Sequence, residues 1–491
     1  MQASIGAVDL IIVALYVAAM FGVGVYARTR IKSVDDFLVA GNRFKMFSLV
    51  GTLMAALVGA GMTMGVVGGT FTYGSGVMWN YLGFGVGMVV YGLFYVKAVR
   101  RTGKRTTAEV IAAEFGRVPR FCVAIVVAFY CIAILALCIM GMGRLLTYLG
   151  SSIGLSITVA VIITSLVTIG YTALGGFYSV VWTDVVQFVI MFIVIVIVGP
   201  IIAFSNAGSP AIMETAMNAN GLSMFNIVEG VPLPYIIASF ILVFLGTPGD
   251  PTLAQSALAA DSDKTAKNSF LISGGLTVIF GAGLVIIGVA SFILLPNIKE
   301  QMGTNEAAFP IFIMTYFPPV LKGLGLAGLL AAIMSTISAM LLVASTHLVY
   351  DAGKALFPNA SDDFFKRALP ILIVVIGCIV TYLALKVTSL AGVMYIAFSL
   401  IGSALFFPTL FTLFWKRATS AGITTGIVSG AVVCAYMYLT SNYGWGGDPV
   451  YTAAPVCIIL TIIVSLITGK GKIREGWHNR YENNNDSGTE V

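Results

Sequence analysis

Charged side chains and histidines are both scarce in this chain. Only 10% of its 491 residues are Asp, Glu, Lys or Arg, and it has two histidines, whereas a soluble domain carries about 25% charged residues. His347 and His478 lie at a helix end and in a polar tail, which gives no reason to expect a His-based metal centre. The composition excludes an ordinary soluble domain and favours a polytopic membrane protein.

Several functional motifs are also missing. The six cysteines all fall in apolar segments and none forms a C-x-x-C pair, so they predict neither a disulfide framework nor a metal site. There is no P-loop and no H-E-x-x-H. ATP-driven transport would need a nucleotide-binding domain on another chain, and we predict neither an enzyme nor an organic cofactor.

Apolar residues, by contrast, are abundant. They make up 58% of the chain, whose mean hydropathy is +0.98, and a spanning helix needs roughly 20 of them in a row. We predict an all-α polytopic protein of the cell (inner) membrane, with one transmembrane domain over residues 1–470 and a polar cytoplasmic tail at 471–491. The candidate spans are 7–27, 46–71, 77–97, 120–149, 156–174, 180–204, 233–256, 270–295, 321–346, 369–386, 390–415, 420–440 and 451–468.

Basic residues are distributed unevenly between the connecting segments. If the N-terminus lies outside, 23 of the 27 Lys and Arg residues fall in segments on the inner side. Cytoplasmic loops carry such an excess, so we expect the N-terminus outside and the C-terminus inside. The net charge of +6 then reflects topology and contact with the lipid bilayer. It predicts no nucleic-acid partner, and no obligatory protein partner is evident.

Two apolar segments, 46–71 and 233–256, are interrupted near their middles. Unwound backbone at membrane depth is tolerated only where it is buried in protein or lines a cavity. A pair of interrupted helices in two halves of a chain is the best indication of a transporter binding site. The interrupting residues are Gly59 and Gly61 in the first segment and Gly246, Pro248, Gly249 and Pro251 in the second.

Two further stretches carry polar groups at membrane depth. In YTALGGFYSVVWTDVVQ (171–187), Asp184 is either a functional ionisable group or an aspartate satisfied in the first turn of a helix. In GLAGLLAAIMSTISAM (325–340), the hydroxyls of Ser335, Thr336 and Ser338 suit a hard cation that prefers oxygen ligands. The alternative is that they bond to carbonyls of their own helix.

Three motifs, YTALGGFYSVVWTD, AAIMSTISAM and DPTLAQSALAADS, together resemble the sodium:solute symporter family over roughly residues 7–470. The resemblance implies the leucine-transporter-like fold of two inverted five-helix repeats. Repeat one would cover about 46–204 and repeat two about 233–415. The segments 7–27, 420–440 and 451–468 would be extra helices.

The resemblance also implies a sodium site. Backbone carbonyls of Ala55, Val58 and Ala332 and the hydroxyls of Ser335 and Thr336 match its ligands. Some relatives have a second sodium site, which Asp184 and Ser338 match, although Ala339 stands where a further serine would help. In other relatives the aspartate belongs to the sodium exit route, which is the alternative role for Asp184.

The substrate site is expected beside the two breaks. Small and apolar residues dominate there, and an unpaired buried hydroxyl costs about 1–3 kcal/mol, so we favour an organic acid or an amino acid over a sugar. Asp250 is either an N-cap with Pro251 at the first helical position, or a counter-charge for a substrate amine or a protonation site. The candidate substrate residues are Gly59, Gly61, Met62, Thr63, Trp79, Asn80, Thr247 and Asp250.

We therefore expect a sodium-coupled secondary symporter that imports a small organic solute by alternating access, with Na⁺ as the coupling ion. One alternative is a proton-coupled symporter of the same fold that uses Asp184 or Asp250. Another is a transporter-like solute sensor. Arg144 lies near the end of its span, where it either snorkels to the surface or belongs to an outer gate.

Overall fold

The computed structural model describes residues 5–28, 44–150, 154–443 and 447–469. The predicted tail at 471–491 lies outside these residues. Within them the fold is helical, and the only extended pairing is a parallel bridge between Phe44 and Ala260.

The helices are numbered here in chain order. Their bounds are α1 Ala7–Arg28, α2 Met46–Leu57, α3 Val66–Tyr73, α4 Met78–Val90, α5 Val96–Arg101, α6 Thr107–Phe115, α7 Arg117–Leu149, α8 Ile157–Met191, α9 Gly199–Ala207, α10 Pro210–Asn218, α11 Leu233–Gly249, α12 Pro251–Ala259, α13 Asp263–Leu294, α14 Ile298–Met302, α15 Ala308–Tyr316, α16 Leu321–Ser345, α17 Gly353–Leu356, α18 Asp362–Ala384, α19 Leu390–Ile401, α20 Phe407–Phe414, α21 Ser420–Leu439 and α22 Val450–Thr468. Short π-helical segments join several of them, at Gly61–Gly65, Tyr91–Tyr95, Phe192–Val198, Thr346–Ala352 and Gly402–Phe406.

Many of these helices are long and apolar. In the described part of the chain, ten helices could cross a membrane by length and composition, and the bent pair α11–α12 raises the number to eleven. Two shorter apolar helices, Met46–Leu57 and Ile157–Gly170, accompany them. The fold is thus an all-α bundle with the content of a multi-pass membrane protein.

The break predicted in the first interrupted segment is present. Helix α2 ends at Leu57, and Val58 leaves the helical region with φ −86° and ψ 63°. The chain resumes as the π segment Gly61–Gly65 and continues into α3. Gly59 is required here, because a Cβ atom on it would lie 2.7 Å from the Thr336 hydroxyl oxygen. The break is therefore packed directly against helix α16.

The second predicted break is also present. Helices α11 and α12 meet at an angle of 45°, with Asp250 between them in an extended conformation. Pro251 begins α12, where its fixed φ is suited to a helix and its missing N–H costs nothing. The fold therefore contains two helices broken at mid-length, as the glycines and prolines of the sequence indicate.

Helix α16 lies at the centre of the bundle. Every residue from Gly325 to Ser345 is buried, and α16 packs against α7, α8 and the first broken helix. Helix α8 contains a kink at Gly176, whose φ of 52° favours glycine. The kink lies within the stretch 171–187, and Asp184 lies in the part of α8 that follows it.

Candidate functional site

Ser335 joins the central helix to the first break. Its hydroxyl donates to the carbonyl oxygen of Ala55 on α2 at 2.8 Å, and it also lies 3.0 Å from the carbonyl oxygen of Ala332. Helix α2 ends at Leu57. Because the last carbonyls of a helix lack N–H partners within it, the carbonyl of Ala55 is available to Ser335. Three oxygens from two helices therefore converge beside the break.

Thr336 adds a second hydroxyl to the same place. Its Oγ1 lies 3.3 Å from the carbonyl oxygen of Ala56 and 3.2 Å from that of Ala332. The contacts to Ala332 are the own-helix bonds that serine and threonine commonly make, whereas those to Ala55 and Ala56 cross between helices. The hydroxyls thus make the own-helix bonds considered from the sequence and, in addition, bonds that cross to α2.

The chemistry of this oxygen cluster suits a hard cation. We define the oxygen cluster as the carbonyls of Ala55, Ala56 and Ala332 with the hydroxyls of Ser335 and Thr336. Neutral oxygens are the ligands that hard cations accept, and the site is buried. Val58, the remaining predicted ligand, ends α2 in the same break. The predicted ligands Ala55, Ala332, Ser335 and Thr336 are thus brought to one place, and Ala56, to which the sequence did not point, joins them.

Asp184 presents a different situation. It is fully buried, and within the described residues neither of its carboxylate oxygens has a hydrogen-bond partner. The Thr52 hydroxyl of α2 faces it but does not meet hydrogen-bond geometry. Asp184 is eight residues beyond the kink at Gly176, so no first-turn backbone donors satisfy it. The hydroxyl of Ser338 donates to the carbonyl of Ser335 on its own helix at 2.9 Å.

A cavity adjoins the oxygen cluster at the level of both breaks. The space in it that the centre of a water molecule can occupy is about 30 Å³, and Thr336 and Ala56 belong both to its wall and to the oxygen cluster. Four of the predicted substrate residues, Gly59, Gly61, Met62 and Asp250, line it. The rest of the wall is mostly apolar, from Leu57, Phe84, Tyr130, Ile134, Leu137, Cys138, Met340, Met394 and Phe398.

Asp250 is the acidic residue among those that line this cavity. Its Oδ1 accepts hydrogen bonds from the Thr252 backbone N–H at 2.8 Å and from the Thr252 hydroxyl at 2.7 Å. Its Oδ2 accepts from the hydroxyl of Tyr130 at 2.6 Å. The N-cap geometry expected for Asp250 is therefore present, and the second oxygen is held by the opposite wall of the cavity.

The other four predicted substrate residues lie elsewhere. Trp79 donates its indole N–H to the carbonyl of Ile227 at 2.9 Å, and Asn80 donates to the carbonyl of Val77. Thr63 and Thr247 bond to carbonyls four residues earlier in their own helices. None of the four is part of the cavity wall.

Sequence reasoning missed the aromatic side of the cavity. Phe84, Tyr130 and Phe398 come from α4, α7 and α19, and Phe398 contacts both of the other rings edge to face, with centroid distances of 5.3 Å and 6.2 Å. Tyr130 is a hydroxyl-bearing residue in an apolar helix, which is the one signal that could have found it. The two phenylalanines are indistinguishable in sequence from ordinary core residues.

Relatives of known activity are similar to this chain over nearly its whole length. The high-affinity proline transporter PutP of Bacillus subtilis is 26% identical over 465 residues, which cover 91% of this chain and 96% of that protein. The osmoregulated proline transporter OpuE of the same organism is 27% identical, with 94% of each chain covered. The sodium/proline symporter of Escherichia coli is 26% identical, covering 94% of this chain and 93% of the relative.

Solved structures share the fold. A Na⁺-coupled sialic acid symporter, solved in a substrate-bound outward-open state, matches with a TM-score of 0.79 and 20% identity, covering 95% of this chain and 98% of that one. MhsT in complex with L-phenylalanine matches with a TM-score of 0.55 and 15% identity, covering 86% and 98%. The model of the sodium:solute symporter family matches residues 37–430, and the chain therefore belongs to that family.

Proposed function

We propose that this protein is a sodium-coupled symporter that imports a small organic solute by alternating access. The observation that carries the proposal is that Thr336 and Ala56 belong both to the oxygen cluster and to the wall of the cavity. An ion bound at the cluster and a solute in the cavity would touch the same residues. Each would then favour conformations that bind the other, and this coupling is reciprocal.

The coupling ion in this proposal is Na⁺, bound by the carbonyls of Ala55, Val58 and Ala332 and by the hydroxyls of Ser335 and Thr336, with the carbonyl of Ala56 beside them. Membership of the sodium:solute symporter family and the shared fold of a Na⁺-coupled symporter support this choice. Asp184, whose two carboxylate oxygens have no hydrogen-bond partner among the described residues, would serve a second sodium site together with Ser338, or the path by which sodium leaves.

The proposal includes a topology. We infer thirteen spans, with the N-terminus outside, the tail 471–491 in the cytoplasm, and inverted repeats over about 46–204 and 233–415. Adding the two shorter apolar helices to the eleven longer spans supports the number thirteen. The basic residues support the orientation, because Arg100, Arg105 and Arg120 would then lie at the cytoplasmic end and Arg144 at the outer end.

The residues that line the cavity favour some classes of substrate over others. Most of its residues are apolar, so a sugar would bury several hydroxyls without partners, at about 1–3 kcal/mol each. An amino acid or a small organic acid needs fewer polar contacts. The proline transporters among the relatives lie within this class, although identity near 26% does not carry a substrate from one protein to another.

The test is the sodium dependence of a double variant, Ser335→Ala with Thr336→Ala. We would titrate NaCl against KCl at constant ionic strength and follow the melting temperature, since a ligand of the folded state stabilises it by RT ln(1 + [L]/Kd). Loss of two ligands should raise the half-maximal sodium concentration about tenfold or more. Ser345→Ala is the matched control, because Ser345 is buried on the same helix and bonds only to Leu342 of that helix.

An unchanged sodium titration in the double variant would overturn the assignment of the ion site. A proton-coupled symporter is the second candidate, and the unpartnered carboxylate of Asp184 is the observation that favours it. In that case stability and uptake would follow pH and would be the same in sodium and potassium.

A further inference from the structure

Asp250 combines deep burial with a position on the cavity wall. Its side chain is almost completely buried, yet it lies at the junction of α11 and α12, where the broken helix opens onto the cavity. It accepts three hydrogen bonds and donates none: two from Thr252 and one from Tyr130. Three groups able to donate, the N–H and hydroxyl of Thr252 and the hydroxyl of Tyr130, thus surround the side chain and can stabilise it as a carboxylate.

No basic side chain balances this carboxylate. The described residues that line the cavity include no Lys, Arg or His. The guanidinium groups of Arg100, Arg120 and Arg144 are engaged elsewhere: Arg100 pairs with Asp263, Arg120 with Asp351 and Glu109, and Arg144 with Glu306. A carboxylate inside a membrane protein is costly without a partner charge. A cationic ligand in the cavity would supply that charge directly at Asp250.

The walls beside Asp250 suit a cation with an apolar body. Aromatic faces attract ammonium groups, and Tyr130 and Phe398 both lie on this wall with their rings in contact. Phe398 reaches it because Gly246 has no Cβ, since a Cβ atom there would lie 2.4 Å from the Phe398 ring. Three methionines, Met62, Met340 and Met394, supply the adaptable apolar surface.

We propose that Asp250, held by Tyr130 and Thr252, is the counter-charge for a cationic nitrogen of the transported solute. The substrate is then an amine-bearing molecule with a largely apolar remainder, such as an amino acid, and a carboxylate that lacks nitrogen is excluded. This inference rests on the proposed function, because it identifies the cavity as the solute site of a symporter. It assigns Asp250 two simultaneous roles, the N-cap of α12 and the recognition of substrate.

The test uses matched probes on the purified full-length protein. The melting temperature would be measured in NaCl with the common amino acids, and each amino acid that binds would be compared with its decarboxylated amine and its deaminated acid. L-valine, isobutylamine and 3-methylbutanoate form one such trio. We expect shifts from compounds that keep the nitrogen and none from the deaminated acid.

The variant for this test is Asp250→Asn. Asparagine is an equally good N-cap, so the fold of α12 is retained while the negative charge is removed. We expect the Kd of the amine-bearing probe to rise about tenfold or more. Tyr130→Phe keeps the aromatic wall and removes one donor, so its effect should be in the same direction and smaller. Asp263→Asn, which removes an exposed carboxylate paired with Arg100, is the control for lost charge.

Three results would overturn this inference: ligands that lack nitrogen bind as well as those that carry it, no amine-bearing probe binds, or Asp250→Asn binds the amine unchanged. The sodium-dependent shift in melting temperature, measured without any solute, tests the proposed function independently of this inference. If Asp250→Asn retains that shift, it is folded and its ion site is intact. If the native protein shows no sodium shift, the symporter proposal itself fails.

Discussion

Arg144 and Glu306 form an ion pair, with 2.5 Å between Nη1 and Oε2. Arg144 also donates to the carbonyl of Thr388 at 2.8 Å. The other oxygen of Glu306 accepts from the backbone N–H groups of Leu390 and Ala391 at the start of α19. The pair therefore connects α7, the segment before α15 and the N-terminus of α19 at the proposed outer end. Arg144 is more than a snorkelling side chain.

We expect Arg144→Met to loosen this outer closure. The free energy of unfolding should fall by about 1–3 kcal/mol, because Glu306 loses its cation but keeps its backbone donors. Cys138 lines the cavity, so the rate at which a water-soluble maleimide labels it, in a variant without the other cysteines, should increase. Lys299→Met removes an exposed basic residue at the same end and should change neither quantity. Equal labelling rates in Arg144→Met and the native protein would argue against a gate.

The contact between Gly59 and Thr336 makes a second prediction. In Gly59→Ala the new methyl group would lie 2.7 Å from the Thr336 hydroxyl oxygen, so either the break or the hydroxyl must move. The half-maximal sodium concentration for thermal stabilisation should increase about tenfold. The comparison is Gly275→Ala on α13, where nothing lies within 4 Å of the added methyl group and alanine is a better helix former. A half-maximal sodium concentration in Gly59→Ala equal to that of the native protein would show that Thr336 does not bind the ion.

At the proposed cytoplasmic end, Arg120 neutralises a buried carboxylate. Its Nε and Nη2 lie 3.0 Å and 2.9 Å from Oδ1 of Asp351, whose side chain is fully buried. Arg120→Met leaves this carboxylate without its cation and should destabilise the protein by about 3–5 kcal/mol. The melting temperature in detergent is the measurement. Arg117→Met, an exposed neighbour on the same helix, is the control, and similar melting of the two variants would refute the prediction.

For Asp184 we predict that a substitution stabilises the protein. Because its carboxylate is buried with both oxygens unpartnered among the described residues, Asp184→Asn should stabilise the protein by about 1 kcal/mol or more. The same change should slow transport, since the proposed role of Asp184 is to bind or release sodium. Melting temperature and initial uptake rate would be measured together. A lower melting temperature would show that Asp184 has a stabilising partner.

The sequence predicted the parts of the site that depend on local backbone chemistry. Glycine and proline weaken the interior of a helix whatever packs around it, so they mark the two breaks. Asp250 directly before Pro251 likewise predicts the N-cap of α12. Trp79 and Asn80 lie near a break in sequence, yet they bond to Ile227 and Val77 outside the cavity. Phe84 and Phe398 come from helices far apart in the chain. Their meeting depends on tertiary packing, and no local pattern reports it.

Helix α16 has a consequence for biosynthesis. From Gly325 to Ser345 it has no side left for lipid, but the segment emerges from the ribosome before α19, α21 and α22 exist. Lipid is as apolar as leucine, so the segment is stable in the bilayer before the later helices arrive, provided that its hydroxyls have hydrogen-bond partners. Ser338 and Ser345 bond to Ser335 and Leu342 on the same helix, and Ser335 and Thr336 can both use Ala332. The two bonds to Ala332 that help this helix to enter the membrane alone are thus the ones that an ion at the proposed site would have to exchange.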